Sequence, residues 1–117
     1  MASRRLERVA EQLRGEIARV LRQEVADPRI GLVTIVRVDV SPDLRNALVM
    51  WSRIERRGAP SLEEVGAGLA SAAPYVRRRL AQELPLKRMP ELRFRYDPSL
   101  EQGDRTLALL RELRHES

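Results

Sequence analysis

Pro90-Glu91-Leu92-Arg93-Phe94-Arg95-Tyr96-Asp97 is the stretch on which the fold turns. Leu92, Phe94 and Tyr96 alternate with Arg93 and Arg95, the two-residue period of a strand that buries one face and shows a basic one. Asp97-Pro98 closes it, and Pro85 to Pro90 ahead of it reads as a loop. Before that loop, Leu62, Val65, Leu69, Ala73, Val76, Leu80 and Leu84 form one apolar helical stripe. Ser61-Leu62-Glu63-Glu64 is a capping box that satisfies the free amides at its start. Pro74 lies inside the stripe. It has no amide to donate and crowds the carbonyl four residues back, so the helix is expected to bend or restart at Ala72-Ala73-Pro74 while keeping one buried face.

Further toward the N-terminus, Arg56 to Pro60 is a charged loop, and Asn46 to Ile54 alternates with Ala47, Val49 and Trp51 on one face. Leu32 to Val40 is rich in β-branched residues, with Thr34, Val36, Val38 and Val40 set against Ile35, Arg37 and Asp39. The turn signal Ser41-Pro42-Asp43 joins the two runs into an antiparallel hairpin. Arg4 to Glu24 carries Leu6, Val9, Leu13, Ile17, Val20 and Leu21 at steps of three and four, a helix that Ser3 can cap and Asp27-Pro28 should end. Beyond the third strand, Ser99 with Gln102 is a second capping box. Leu100, Leu107, Leu110 and Leu113 then suggest a short C-terminal helix weakened by Gly103, with residues after about 113 expected to be mobile. The order is α-β-β-α-(kink)-α-β: an α+β fold, one domain over 1–117, with a three-stranded sheet packed against helices and a short C-terminal helical segment.

The 117 residues are 43% hydrophobic and 33% charged, which suits one folded domain rather than a disordered tail or a membrane protein. No apolar run approaches the roughly 20 residues that cross a bilayer, and Met1 to Leu13 lacks the core of a secretion signal, so no membrane association and a cytoplasmic location are expected. The absence of cysteine removes thiol chemistry. The single histidine, His115, sits three residues from the end, and no Gly-rich phosphate loop is present, so triad and P-loop chemistries are excluded. The adjacent pair Glu63-Glu64 suits capping better than acid–base work, because neighbours in a helix diverge by about 100°. A metal-dependent nuclease using Asp39 and Asp43 is the enzyme alternative, and it is weak, since two carboxylates at a turn do not make a site. No catalytic residue, metal, cofactor or small-molecule substrate is expected.

The charge is more informative. Lys plus Arg number 22 and Asp plus Glu 17, a net charge of +5. Between Ser71 and Arg95 lie seven basic residues (Arg77, Arg78, Arg79, Lys87, Arg88, Arg93, Arg95) against Glu83 and Glu91, and the rest of the chain is neutral. Such localisation is the footprint of a polyanion-binding face. All but Lys87 of the basic residues are arginine, whose planar fork suits phosphate oxygens.

The order of elements is that of a KH-type domain of the second topology, and the residues resemble one family within it, ribosome-binding factor A. The resemblance spans nearly the whole chain. It is carried by the Arg-rich first helix ending in Asp27-Pro28-Arg29 and by Val38-Asp39-Val40-Ser41-Pro42-Asp43-Leu44-Arg45-Asn46-Ala47 across the hairpin. The stretch from Leu84-Pro85-Leu86-Lys87-Arg88-Met89 through the third strand to Asp97 is the most specific part. The resemblance implies a non-enzymatic bacterial factor, monomeric, that binds the small (30S) ribosomal subunit, assists late maturation of its 16S rRNA, and is linked to growth in the cold. Where the family has an Ala-x-Gly at the interhelical bend, this chain has Ala72-Ala73-Pro74, which reaches a bend by losing an amide donor. It also has no Gly-x-x-Gly, the loop with which ordinary KH domains clamp a single strand, so arginine contacts to structured rRNA are expected instead.

The candidate RNA contacts are Arg77, Arg78 and Arg79 after the bend, Lys87 and Arg88 in the next loop, and Arg4, Arg5 and Arg8 at the start of the first helix, where the macrodipole disfavours cations. Three consecutive helical residues spread around most of the circumference, so two of Arg77 to Arg79 are expected to reach RNA and one to pair on the surface, for instance with Glu83. Trp51 is expected to pack rather than stack on a base, and Asp97 to cap the C-terminal segment. A generic basic KH-like RNA binder, or a protein-interaction module using the sheet or the C-terminal helix, is the alternative of another class.

Overall fold

The computed structural model describes residues 4–54 and 56–99. Its elements are α1 (Arg4–Gln23), β1 (Val33–Val40), β2 (Asn46–Arg53), α2 (Leu62–Glu83) and β3 (Glu91–Tyr96). The sheet order is β1-β2-β3, with β1 antiparallel to β2 and β3 parallel to β2. A parallel neighbour needs a crossover, and α2 supplies it. The predicted Ser3 cap and the C-terminal helix lie outside the described residues. Among those described, no helix is long and apolar enough to cross a membrane.

Both helices lay their stripes on one face of the sheet. Leu13, Ile17 and Val20 of α1 and Leu69, Val76 and Leu80 of α2 lose all solvent contact against Val49 and its neighbours Ile35, Val38, Ala47, Trp51 and Leu92. Burying such side chains contributes about 1.5–3 kcal/mol each before chain entropy is set against it. At Gly68 the helix comes so close to the segment after α1 that a Cβ would lie 2.9 Å from Ile30 Cγ1 and 3.2 Å from Arg29 Cβ.

Three details depart from the sequence reading. α1 stops at Gln23, ahead of Asp27-Pro28, because the amides of Glu24 and Val25 both turn back to the Val20 carbonyl, at 2.9 and 3.2 Å. β1 does not alternate evenly. Ile35 pairs with Trp51 and Arg37 with Met50, so Val36 is an extra residue at a bulge. The bulge shifts the phase: Ile35 joins Val38 in the core, whereas Thr34 is exposed. Finally, α2 does not restart at Pro74; it is one helix of 22 residues that contains the proline. Pro74 and Ala70, whose carbonyl loses its partner, both face solvent, and water can satisfy that carbonyl. The capping box is present as read, with Glu64 N donating to Ser61 Oγ at 3.1 Å and Ser61 N to Glu64 Oε1 at 3.3 Å.

Candidate nucleic-acid interface

The hairpin between β1 and β2 and the loop between α2 and β3 meet at one end of the molecule. In the hairpin, Ser41 Oγ donates to Asp43 Oδ1 (2.6 Å) and accepts from Asn46 N (3.0 Å), while Asp43 Oδ1 also accepts from Arg45 N (3.0 Å). This network holds Leu44 at φ 60°, a left-handed conformation uncommon for a branched side chain, with the leucine itself packed against the core. The same bonds depress the Asp43 carboxyl below its ordinary pKa, the Ser41 hydroxyl first and the Arg45 amide second. Arg45 is left with its side chain exposed at the tip.

The second loop is pinned from both sides. Arg77 donates through Nε to the Pro90 carbonyl (3.1 Å) and through Nη2 to the Met89 carbonyl (2.8 Å), and Glu91 N donates to the Arg45 carbonyl (2.8 Å). With Met89 and Pro90 buried, Lys87 and Arg88 are pushed outward and exposed to solvent. Arg5, from the start of α1, lines the same concavity of about 330 Å³ as Asp43, Leu44, Pro85, Leu86, Lys87 and Arg88. The chain thus gathers Arg5, Arg45, Lys87 and Arg88 from separate segments onto one pole.

The eight cations expected from sequence fall into two groups. Arg4, Arg5, Arg8, Arg78, Lys87 and Arg88 are exposed and make no hydrogen bond or ion pair with other described residues. Arg77 and Arg79 are engaged. Besides clamping the loop, Arg77 lies 3.6 Å from Glu91. Arg79 donates to Glu24 Oε1 at 2.8 Å and to Glu83 at 3.1 Å, and it also contacts Gln82. Glu24 further accepts from Tyr75 Oη at 2.6 Å and from Arg19 at 3.0 Å. Those donors, Tyr75 first and Arg79 next, pull the Glu24 carboxyl down from its ordinary 4.5 to about 2. The cluster ties the end of α1 to α2, and Arg79 is its middle.

Arg78 is exposed on the outer side of α2, where with Arg77 and Glu91 it borders a groove of about 440 Å³ whose helix side is made of Ala70, Ala73, Pro74 and Ala81. These small side chains leave room for a broad ligand to approach the helix. Arg45 escaped the sequence reading; its one signal was its place directly after a turn. The nuclease candidates are not assembled. Asp39 pairs with Arg37 on the sheet (3.2 Å), whereas Asp43 is occupied in the hairpin, and among the described residues no three acidic, His or Cys groups converge. Trp51 is 3% exposed and packs at 5.1 Å against Tyr96, so its ring has no face to offer a base. Asp97 Oδ1, just past β3, accepts from Ser99 N at 3.0 Å; the C-terminal segment it is expected to cap lies outside the described residues.

A helix, a hairpin, a crossover helix and a parallel third strand, with the described cations at one pole unpaired by other described residues, define a KH-like α+β module of the second topology. The ribosome-binding factor A family model matches residues 5–110, and the chain belongs to that family. A ribosome-binding factor A of Aromatoleum aromaticum is 40% identical over 106 residues, covering 91% of this chain and 82% of its own. The solution structure of a Thermotoga maritima protein described as a putative ribosome-binding factor A is similar with a TM-score of 0.68 at 28% identity, covering 81% of this chain and 89% of that one. A Thermus thermophilus ribosome-binding factor A homology model, fitted into the cryo-electron microscopy map of a 30S complex, is similar with a TM-score of 0.62 at 25% identity, covering 76% and 91%.

Proposed function

We propose that this protein is a cytoplasmic, monomeric, non-enzymatic assembly factor that binds the small (30S) ribosomal subunit through 16S rRNA and assists its late maturation. Family membership and the 30S-bound Thermus thermophilus relative support the partner. The observation that carries the interface is the convergence of Arg5, Lys87 and Arg88 on one concavity, with none of them neutralised by a described side chain. Arg45 borders them, Arg4 and Arg8 extend the patch along α1, and Arg78 provides a second contact along α2. Cations near the N-terminus of α1 that no described residue pairs work against the helix dipole, and a phosphate would neutralise them. Arg77 and Arg79 act as supports: the first aims the Lys87-Arg88 loop and the second fixes α2 to α1. Pro74 lines the same groove as Arg78, and a bend at this proline would set the direction in which Arg78 points.

Binding to a particle rather than to any polyanion requires a match to the arrangement of rRNA helices. Sedimentation of the purified protein with cell extract tests this. The protein should travel with free small subunits and their precursors and be scarce on large subunits and assembled ribosomes. Equal association with both subunits at physiological salt would reduce the protein to a generic basic RNA binder.

A further inference from the structure

Leu32 and Ile54 lie one step beyond the last β1–β2 pair, Val33 with Arg53, and are 54% and 60% exposed. Among the described residues they are the two most exposed large apolar side chains. Both border a groove of about 490 Å³ between α1 and β1, whose floor is Ala18, Leu21, Val25, Ile30 and Ile35. Arg14 and Arg22 stand on its α1 side, and the described residues that line it include no acid and no aromatic ring. Arg14 lies against Glu11, whereas the exposed side chain of Arg22 makes no hydrogen bond or ion pair with another described residue. β1 is also an edge strand, with β2 as its one described neighbour. Its second half carries the usual guards of an edge, a bulge at Val36 and the exposed charges of Arg37 and Asp39. Residues 32–35 carry neither.

We infer that this groove receives an extended, acidic segment of a partner protein, added as a strand to the free edge of β1 along residues 32–35. Main-chain hydrogen bonds to the edge hold such a strand, and its alternate side chains, all on one face, drop onto the apolar floor. Each part of the groove specifies one property of the occupant. The unguarded edge calls for extended backbone, the aliphatic floor for apolar side chains, and Arg22 for a carboxylate. Beyond Ile54 the exposed Arg56 and Arg57, against Glu55 as the one acid of that loop, add to the demand for negative charge. RNA would use the arginines but gain little from a floor without an aromatic ring on which a base could stack. A second copy joined edge to edge would bring two arginine rims together with no acid in either groove to answer them. The groove lies at the end of β1 remote from the hairpin, about 23 Å along the strand, so a partner bound here leaves the cationic pole free.

Selection of random peptides displayed on phage, against the full-length protein, tests the chemistry of the occupant. Enriched peptides should carry apolar residues at alternate positions beside Asp or Glu. Synthetic copies of them should shift the backbone amides of residues 32–35 and of Ile54 in NMR spectra and slow hydrogen exchange along the β1 edge. Leu32→Asp with Ile54→Asp should weaken peptide binding about tenfold or more, the loss expected when an apolar anchor is removed. Arg22→Glu should also weaken it and leave the thermal midpoint unchanged, whereas Ala70→Asp, on the exposed side of α2, should not affect binding. No enriched sequence, a basic consensus, or amide shifts confined to other faces would each overturn the inference. Peptides that bind as helices, without protecting the edge amides, would do the same. Dimerisation abolished by Leu32→Asp with Ile54→Asp would give the groove to a second copy. Loss of small-subunit binding in that variant, with no peptide selected, would give it to RNA; either result overturns the assignment to a partner protein.

Discussion

Arg5→Gln, Lys87→Gln and Arg88→Gln combined remove the three cations that line the pole without breaking a hydrogen bond or ion pair to any described residue. Surface changes of this kind shift stability by no more than about 0.5 kcal/mol, so the thermal midpoint should stay close to that of the parent. Binding should respond in a specific way. Each phosphate contact contributes about 0.7–0.9 to the slope of log K against log salt, so a fourfold rise in salt costs about threefold in affinity per contact. If all three cations contact phosphate, the parent loses about 20- to 40-fold more affinity than the triple variant between 50 and 200 mM salt. Titration of labelled protein with purified small subunits at several salt concentrations measures both slopes. A triple variant with the parental slope would refute the pole as interface, whatever its affinity at one salt. Arg79→Gln is the control from the other group: it should lower the thermal midpoint, by loosening the contact with Glu24, and leave the salt slope unchanged.

Glu24, with its pKa lowered to about 2, contributes stability in full above its ordinary 4.5 and loses it as the pH falls toward 2; Glu24→Gln should therefore flatten the acid limb of the midpoint-versus-pH curve over that window. Gly68→Val should destabilise by about 1–3 kcal/mol in urea denaturation, since its Cβ meets Ile30 at 2.9 Å, whereas Gly66→Ala, with open space around it, should stabilise by about 0.5–1 kcal/mol. Pro74→Ala returns an amide donor to the Ala70 carbonyl on the solvent side of α2, so it should raise the midpoint and, by re-aiming Arg78, weaken binding to small subunits; parental affinity would remove Pro74 from the interface.

The parts of the fold legible in sequence are those decided by local periodicity. The α1 stripe from Val9 to Leu21 and the Ser61 capping box need only neighbours three or four residues away. The phase of β1 needs a partner strand, because the extra residue at Val36 exists only in relation to Trp51 and Met50 across the ladder. The end of α1 likewise belongs to tertiary structure. Asp27-Pro28 forbids continuation past that point, but the helix finishes earlier, where Glu24 finds Tyr75 and Arg79 on α2.

The same distinction explains the site. Charge clustered along the chain suggested one face made from residues 71–95, yet adjacent helical residues diverge by about 100° and go to different tasks. Arg77 holds a loop, Arg79 is bound to a carboxylate 55 positions away, and only Arg78 points free, while Arg93 and Arg95 lie on the sheet face turned away from the helices. Lys87 and Arg88 alone would make a small patch. What enlarges it is Arg5, from the other end of the chain, and Arg45, delivered by a hairpin that holds Leu44 in a left-handed conformation. In the function proposed above, a tight hairpin and a pinned loop hold these cations in place ahead of RNA, so binding need not bear the cost of ordering them. The positioning done by Ser41, Asp43 and Arg77 is not legible in the sequence, which marks Arg77 as a contact and Asp43 as a weak metal candidate, because their partners are groups of this chain brought together only by the fold.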